Sequence, residues 1–291
     1  MSKFIALDAT QMGTQTAACL TGSTDTARLV NMMPATVTKD VYATVSKRML
    51  KSLKSMKVKE CPELKQFYRD HQDVMFDRSV WKRPTMTVLY GATPSTFADQ
   101  LRDDLKSVTG QQLSRKASLK LGNMTHDALK SELPAAIDLM RSLTGIVSTV
   151  VKVTGKPFTF TTATGTTFTA CKYKDHKHSH VGRSFGYDLD ISSTTDVLSP
   201  NATSKSAAAQ YIQSFDAAIA GRIQVRMSEL GIPCLSVFDS WSVPLEHAQV
   251  LIDVAREAYI SVLSGDRLQD FYDEALLNYP FLASKPDLFL K

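Results

Sequence analysis

Two short runs of strand-forming residues, near opposite ends of the chain, each carry an aspartate. One is Phe4-Ile-Ala-Leu-Asp8. The other, Cys234-Leu-Ser-Val-Phe-Asp239-Ser-Trp-Ser-Val243, reads as one strand with Asp239 at its middle. The apolar residues of both runs belong in a core, so each carboxylate arrives at the edge of buried structure and needs a partner. Two carboxylates on adjacent strands repel one another unless a cation lies between them. Magnesium suits such a pair, because it readily shares carboxylates with phosphate oxygens. Taken singly, either aspartate is more simply a solvated strand end. A fold that uses them together must join segments 231 residues apart.

The composition is that of an ordinary globular chain. Its 291 residues are 43% hydrophobic and 22% charged, enough for one large or two small domains. No run approaches the roughly 18 apolar residues of a membrane helix. The four cysteines, Cys19, Cys61, Cys171 and Cys234, are scattered without a CxxC pair. A disulfide scaffold or structural zinc site is therefore disfavoured, and an intracellular chain is expected. The net charge of +5 is uneven: residues 232–291 hold nine acids against four bases, so 1–231 carries about +10. A basic bulk of this kind suits a polyanionic partner. The N-terminus shows no targeting segment, so the functional chain is expected to begin almost at once.

Residues 9–20 read as a loop entering a helix. Thr36 or Thr38 is placed to cap a helix through Val41, Val45 and Met49. The far end of that helix carries Lys47, Arg48, Lys51, Lys54, Lys57 and Lys59 with no acid before Glu60, either a solvated face or a nucleic-acid backbone contact. Helical patterns cover about 96–109 and 133–152. Alternating, β-rich runs at 158–162, 166–174 and 183–191 predict strands, the last two joined as a long hairpin with a polar tip over Asp175–Gly182. His176, His178 and His180 in that tip leave open a metal site, a DNA contact or a plain solvated hairpin. A helix from about Ser204 ends at Gly231 and Pro233, and Pro244 is expected to open another that ends near Gly265.

The densest chemistry lies in Arg78-Ser-Val-Trp-Lys82-Arg-Pro-Thr-Met86-Thr-Val-Leu-Tyr90-Gly91. On a helix Arg78 and Lys82 share a face. Tyr90 lies about 12 Å further along at 1.5 Å per residue. Two cations and an aromatic along one side match a triphosphate with its base. Pro84 should bend the segment or sit near the helix start.

These three segments together resemble the single-subunit phage and mitochondrial RNA polymerases. Leu7-Asp8-Ala9-Thr-Gln-Met-Gly13-Thr-Gln15 is similar to their motif A, Arg78–Gly91 to motif B, and Val237-Phe-Asp239-Ser240 to motif C, in the right order and rough spacing. Leu29-Val30-Asn31, Ser214 with Asp216, and Asp270-Phe-Tyr-Asp273 also match, so the resemblance spans essentially the whole chain. It implies two magnesium ions held by Asp8 and Asp239 with help from the Ala9 carbonyl. It implies a triphosphate gripped by Arg78 and Lys82, with Lys82 assisting the leaving group and Tyr90 stacking at the insertion position. Related DNA polymerases share the Arg-x3-Lys-x7-Tyr-Gly frame. They place a glutamate five residues after the motif A aspartate and an aromatic four after the motif B lysine. Gly13 and Met86 stand there in this chain, which points to ribonucleotides. Two departures are Phe238 and Ile219, where the RNA polymerases carry histidines that hold the primer end.

The resemblance implies an α/β (α+β) right-hand polymerase fold. Residues 1–30 and 220–291 are expected to form the palm, and 31–219 the inserted helical fingers, with a specificity-type hairpin at about 166–192. Lys172, Lys174, Lys177 and Arg183 on that hairpin are the candidate DNA contacts. A thumb and an N-terminal domain are expected to be absent and supplied by a second polypeptide. The expected function is the catalytic subunit of a DNA-directed RNA polymerase that binds DNA template, RNA product and ribonucleoside triphosphates, without a membrane. The expected setting is the cytoplasm of a phage-infected bacterium. The competing readings are a DNA polymerase or primase-like enzyme and an inactive promoter-binding subunit.

Overall fold

The computed structural model describes residues 3–175, 179–184, 187–191 and 193–290. Strand β1 (Phe4–Asp8) leads through Gln11, in a left-handed conformation at φ 53°, into helix α1 (Met12–Thr21). Helices α2 (Thr24–Leu29), α3 (Val41–Ser55), α4 (Pro62–Asp70) and α5 (Gln72–Phe76) follow. Helix α6 (Arg78–Thr87) runs on as a 3-10 turn, Val88–Tyr90, that ends at Gly91. Next come α7 (Pro94–Thr109), α8 (Arg115–Glu132) and α9 (Pro134–Thr154). Six short strands, β2 (Phe158–Thr161), β3 (Thr167–Ala170), β4 (Tyr173–Asp175), β5 (Ser179–Ser184), β6 (Tyr187–Ile191) and β7 (Thr194–Leu198), precede the long helix α10 (Pro200–Glu229). Strands β8 (Leu235–Val237) and β9 (Ser240–Pro244) and helices α11 (Ala248–Leu263) and α12 (Arg267–Asn278) complete the main elements. The mixture of helices with small antiparallel sheets is α+β, as the sequence predicts.

Local chemistry explains most helix starts. Ser23, Asp40, Asp77, Thr93, Ser114, Ser199 and Asp266 each accept a hydrogen bond from a backbone N–H of the first turn. The cap of α3 is thus Asp40, not Thr36 or Thr38; its carboxylate accepts from Ala43 N at 3.1 Å and also meets the positive end of the helix dipole. Helix α10 spans 30 residues, about 45 Å, and packs against α9, α11 and α1. Its buried side chains include Tyr211, Ile212, Phe215, Ile219 and Ile223.

The predicted single strand over 234–243 is a hairpin. Val237 pairs with Ser240, so Phe238 and Asp239 form the two-residue turn, with Phe238 at φ 55°. Phe-Asp is not one of the usual turn dipeptides, and the apolar alternation continues across it, which hides the reversal. Strand β9 pairs with both β8 and β1, giving the order β1-β9-β8. In that register Asp8 stands opposite Ser240 and Phe4 opposite Pro244. Pro244 therefore closes a strand instead of opening a helix, and Leu245–His247 make a 3-10 turn before α11. Trp241 and Val243 face the core from the middle strand.

The long hairpin is also built differently. β2 pairs with β3 as a ribbon of its own. β4 then pairs with β7 and β5 with β6, so the chain reverses between Ser184 and Tyr187. Of the predicted tip, Asp175 ends β4 and Ser179–Gly182 lie in β5, so they belong to strands and not to the tip. Lys177, His176 and His178 lie outside the described residues.

Candidate active site

Helix α6 is anchored from beneath. Trp81 is fully buried and its indole N–H donates to the Met75 carbonyl at 3.0 Å; removing such a ring costs about 3–5 kcal/mol. With Trp81, Val80, Pro84 and Thr85 inside, Arg78, Lys82, Met86 and Tyr90 are left exposed at intervals of four. They form one line along the open side of the segment. Pro84 sits inside the helix, and the segment tightens into its 3-10 turn four residues later. Gly91 ends it at φ 75°, a conformation that glycine adopts without penalty. A Cβ there would lie 3.2 Å from the Lys205 side chain.

Three contacts bring the distant segments together. The Ala9 N–H donates to the Asp239 carbonyl at 3.0 Å, which sets the end of β1 against the β8–β9 turn. The Gln11 amide donates to the Thr85 carbonyl at 2.8 Å, tying the start of α1 to α6. The third is the pairing of β1 with β9 itself. The Ala9 carbonyl accepts from Gln11 N at 3.1 Å and retains a second lone pair.

The electrostatics report the same proximity. The Asp239 carboxyl is pushed above the usual carboxylate range, chiefly by burial and further by the charge of Asp8, while Lys82 pulls it back down. Asp8 and Lys82 therefore both lie within electrostatic reach of Asp239. Arg78 lies with its guanidinium 5.1 Å from the Tyr42 ring centre and its Nε 2.5 Å from Asp40. Burial first pushes the Tyr42 hydroxyl up to about 12, with Asp239 and Asp8 among the nearby charges. Among the described residues no group of three or more His, Cys, Asp or Glu side chains is placed to hold a metal. Two hard carboxylate oxygens and a free carbonyl lone pair fit magnesium, which keeps several of its own waters, and fit zinc or a structural calcium poorly.

A cleft of about 600 Å³ opens beside the pair, lined by Gly13, Met86, Tyr90, Gln213, Asp216 and Asp239 among others. A Cβ built on Gly13 would stand 3.7 Å from the Tyr90 hydroxyl and 3.4 Å from Leu89. The residues predicted to choose the sugar thus border one space. Phe238 also borders it and is 90% exposed. Ile219 is fully buried in the core and presents nothing to a primer. Neither Lys172 nor Lys174 lines this cleft. Lys172 and Lys174 are exposed, and the Lys172 backbone is bound to Ser199 and Thr203 at the start of α10. Arg183 lies in β5 opposite Asp188, and Lys177 is outside the described residues.

Sequence reasoning assigned no role to Gln11, Gln213 or Asp216. Asp216 reaches the cleft from α10, one of its oxygens buried without a hydrogen-bond partner. Burial, and then the charge of Asp239, push its carboxyl up to about 7. Because this value exceeds that of the unfolded chain, the protonated carboxyl favours folding at low pH, and that contribution is lost as pH rises through about 7. Asp216→Asn should therefore raise the unfolding temperature in metal-free buffer by an amount that grows from pH 5 to pH 8. The full effect is about 4 kcal/mol at most. A gain that is flat with pH would contradict this account of Asp216.

The described residues contain no helix long and apolar enough to cross a membrane. All four cysteines are free thiols. The family model of DNA-dependent RNA polymerase matches residues 2–286, nearly the whole chain. No curated protein matches it.

Proposed function

The chain belongs to the DNA-dependent RNA polymerase family, of the phage and mitochondrial type, and from that membership we propose that it is a catalytic subunit that extends RNA on a DNA template. The observation that carries this reading is that Met86 and Tyr90, the far end of the line Arg78–Lys82–Met86–Tyr90, border the same cleft as Asp239, whose carboxyl feels the charges of Asp8 and Lys82. Bound by Asp8 and Asp239, with the Ala9 carbonyl, two magnesium ions would supply activation of the RNA 3′-hydroxyl and neutralisation of the leaving pyrophosphate.

The side chains divide the remaining work. Arg78, already oriented by Asp40 and Tyr42, and Lys82 grip the triphosphate oxygens. Lys82 holds a proton where charge develops on the leaving group. Tyr90 closes the insertion position. Gly13 leaves the space beside the Tyr90 hydroxyl open for a 2′-hydroxyl, and Met86 fills the place where the related DNA polymerases carry an aromatic ring. In this reading the β1-β9-β8 sheet and its helices are the palm, residues 1–30 and 220–291, and 31–219 are the fingers. Lys172, Lys174, Lys177 and Arg183 are the DNA contacts of this reading, and a second polypeptide completes the clamp on the hybrid.

Lys82→Ala tests the assignment. Single-nucleotide extension should fall by about 10²-fold or more, the usual worth of a positioned acid, while affinity for a preformed RNA–DNA scaffold stays within about twofold. Full activity in the variant would remove Lys82 from the chemistry and with it the motif B reading.

A further inference from the structure

We propose that the solvent face of α3 is a second nucleic-acid contact, a rail of lysines that holds a polynucleotide backbone leading away from the nucleotide site. The inference rests on the polymerase reading for the nature of the polyanion, and on the structure for the rail. Lys47, Lys51 and Lys54 are all exposed and spaced four and three apart, so they lie within one narrow stripe of the helix. The opposite side of α3, Val41, Val45, Met49 and Leu53, is buried. Lys57 and Lys59, also exposed, follow in the turn past the helix end.

The acids nearest the stripe in sequence form their ion pairs with other cations. Asp40, at the start of α3, pairs with Arg78. Glu132 pairs with Arg48 at 2.5 Å. Glu60, just past the stripe, pairs with Lys120 at 3.2 Å and accepts from the Lys57 backbone N–H. Among the described residues none of Lys47, Lys51 and Lys54 forms an ion pair with a carboxylate. Three uncompensated charges on one face repel one another and cost stability unless a polyanion meets them.

The placement decides what kind of polyanion. The α3 N-terminus is fixed to Arg78, at the triphosphate end of the site, and Lys54 is about 21 Å away along the helix axis. A nucleotide is too compact to span that distance and already has Arg78 and Lys82. A polynucleotide strand, with one phosphate every 3.4 Å or so of duplex, fits it. DNA ahead of the site and RNA behind it offer the same phosphodiester chemistry, so the test must separate them.

The experiment measures equilibrium binding of RNA–DNA scaffolds, without nucleotide, at several salt concentrations. It uses the full chain with any polypeptide that copurifies. The triple variant K47E/K51E/K54E should bind at least about tenfold more weakly at 0.1 M salt. The slope of log affinity against log salt should flatten by about 2 to 3, from 0.7 to 0.9 per lost phosphate contact. The neutral triple variant K47Q/K51Q/K54Q should fall between it and the parent. K106E/K116E/K152E, exposed lysines elsewhere with the same charge change, should change the slope little. Scaffolds lengthened only in DNA, or only in RNA, show which strand the rail holds, and a loss on either supports the proposal. Unchanged affinity and slope in the first variant, or an equal loss in the K106E/K116E/K152E control, would overturn it. Because binding is read without chemistry, a chain that fails to extend RNA can still show the rail, so the two readings fail separately.

Discussion

Asp239→Asn should abolish RNA extension, by about 10³-fold or more, and leave the fold and scaffold binding intact. The substitution keeps the shape of the side chain and the backbone carbonyl that accepts from Ala9, so the turn that places residue 239 survives. What it removes is the negative oxygen that, with Asp8, would hold the cations. Charge stabilisation by a bound metal is worth several kcal/mol in the transition state, and each 1.36 kcal/mol is tenfold in rate. Asp239 is also partly buried beside a like charge, and both effects raise its carboxyl above its ordinary range. Asparagine relieves that repulsion, so thermal unfolding without metal should move up or not at all. This opposition, activity lost while stability holds or rises, marks a group kept for chemistry. Asp8→Asn should do the same, and the double variant should be scarcely worse than either single one. Extension at even a tenth of the parent rate in Asp239→Asn would remove this carboxylate from the mechanism.

The second large effect concerns the sugar. Gly13 lies in the first turn of α1, with its absent side chain facing Leu89, Ile212 and the Tyr90 hydroxyl at 3.4 to 3.7 Å. A methyl group there meets ordinary van der Waals distances, so Gly13→Ala should fold and extend RNA nearly normally. Glutamate is three atoms longer, and its nearest room is the cleft beside Tyr90. It would occupy the place of a 2′-hydroxyl and crowd a ribose but not a deoxyribose. Overpacking of this kind costs about 1–3 kcal/mol, so Gly13→Glu should move the ribonucleotide-to-deoxyribonucleotide preference by about 5- to 160-fold toward deoxyribonucleotides. Competitive single-nucleotide incorporation on one scaffold reads this ratio directly. A ratio unchanged in Gly13→Glu, with normal folding, would place sugar choice elsewhere.

How much of this was visible beforehand depends on the range of the interaction. The line Arg78–Lys82–Met86–Tyr90 is a four-residue repeat within one helix, and the sequence shows it directly. So do α7 and α9, through their apolar periodicity, and the end of α10, through Gly231 and Pro233 just beyond it. The turn at Phe238–Asp239 was missed because the strand pattern continues through it, and only the pairing of β8 with β9 reveals the reversal. The hairpin return at 184–187 was displaced for the same reason, since β4 finds its partner in β7 about twenty residues later. Gln11 and Asp216 acquire meaning only from contacts with Thr85 and Asp239 across the fold. Asp216 appeared in the family resemblance, and its burial, which gives it an unusual proton affinity, has no local signature. Ile219 stands where the family carries a histidine, yet it faces the core, so the polar groups bordering the cleft from that helix are Gln213 and Asp216.

The central claim, templated ribonucleotide transfer from the Asp8–Asp239 site, is tested most directly by one-nucleotide extension of an RNA primer on a preformed RNA–DNA scaffold with magnesium. The chain is used with any polypeptide that copurifies, cognate ribonucleotide is compared with cognate deoxyribonucleotide, and Asp239→Asn is run beside the parent. The expected result is template-directed extension that prefers the ribonucleotide and vanishes in the variant. Stable scaffold binding without extension, or extension that prefers the deoxyribonucleotide, would contradict it.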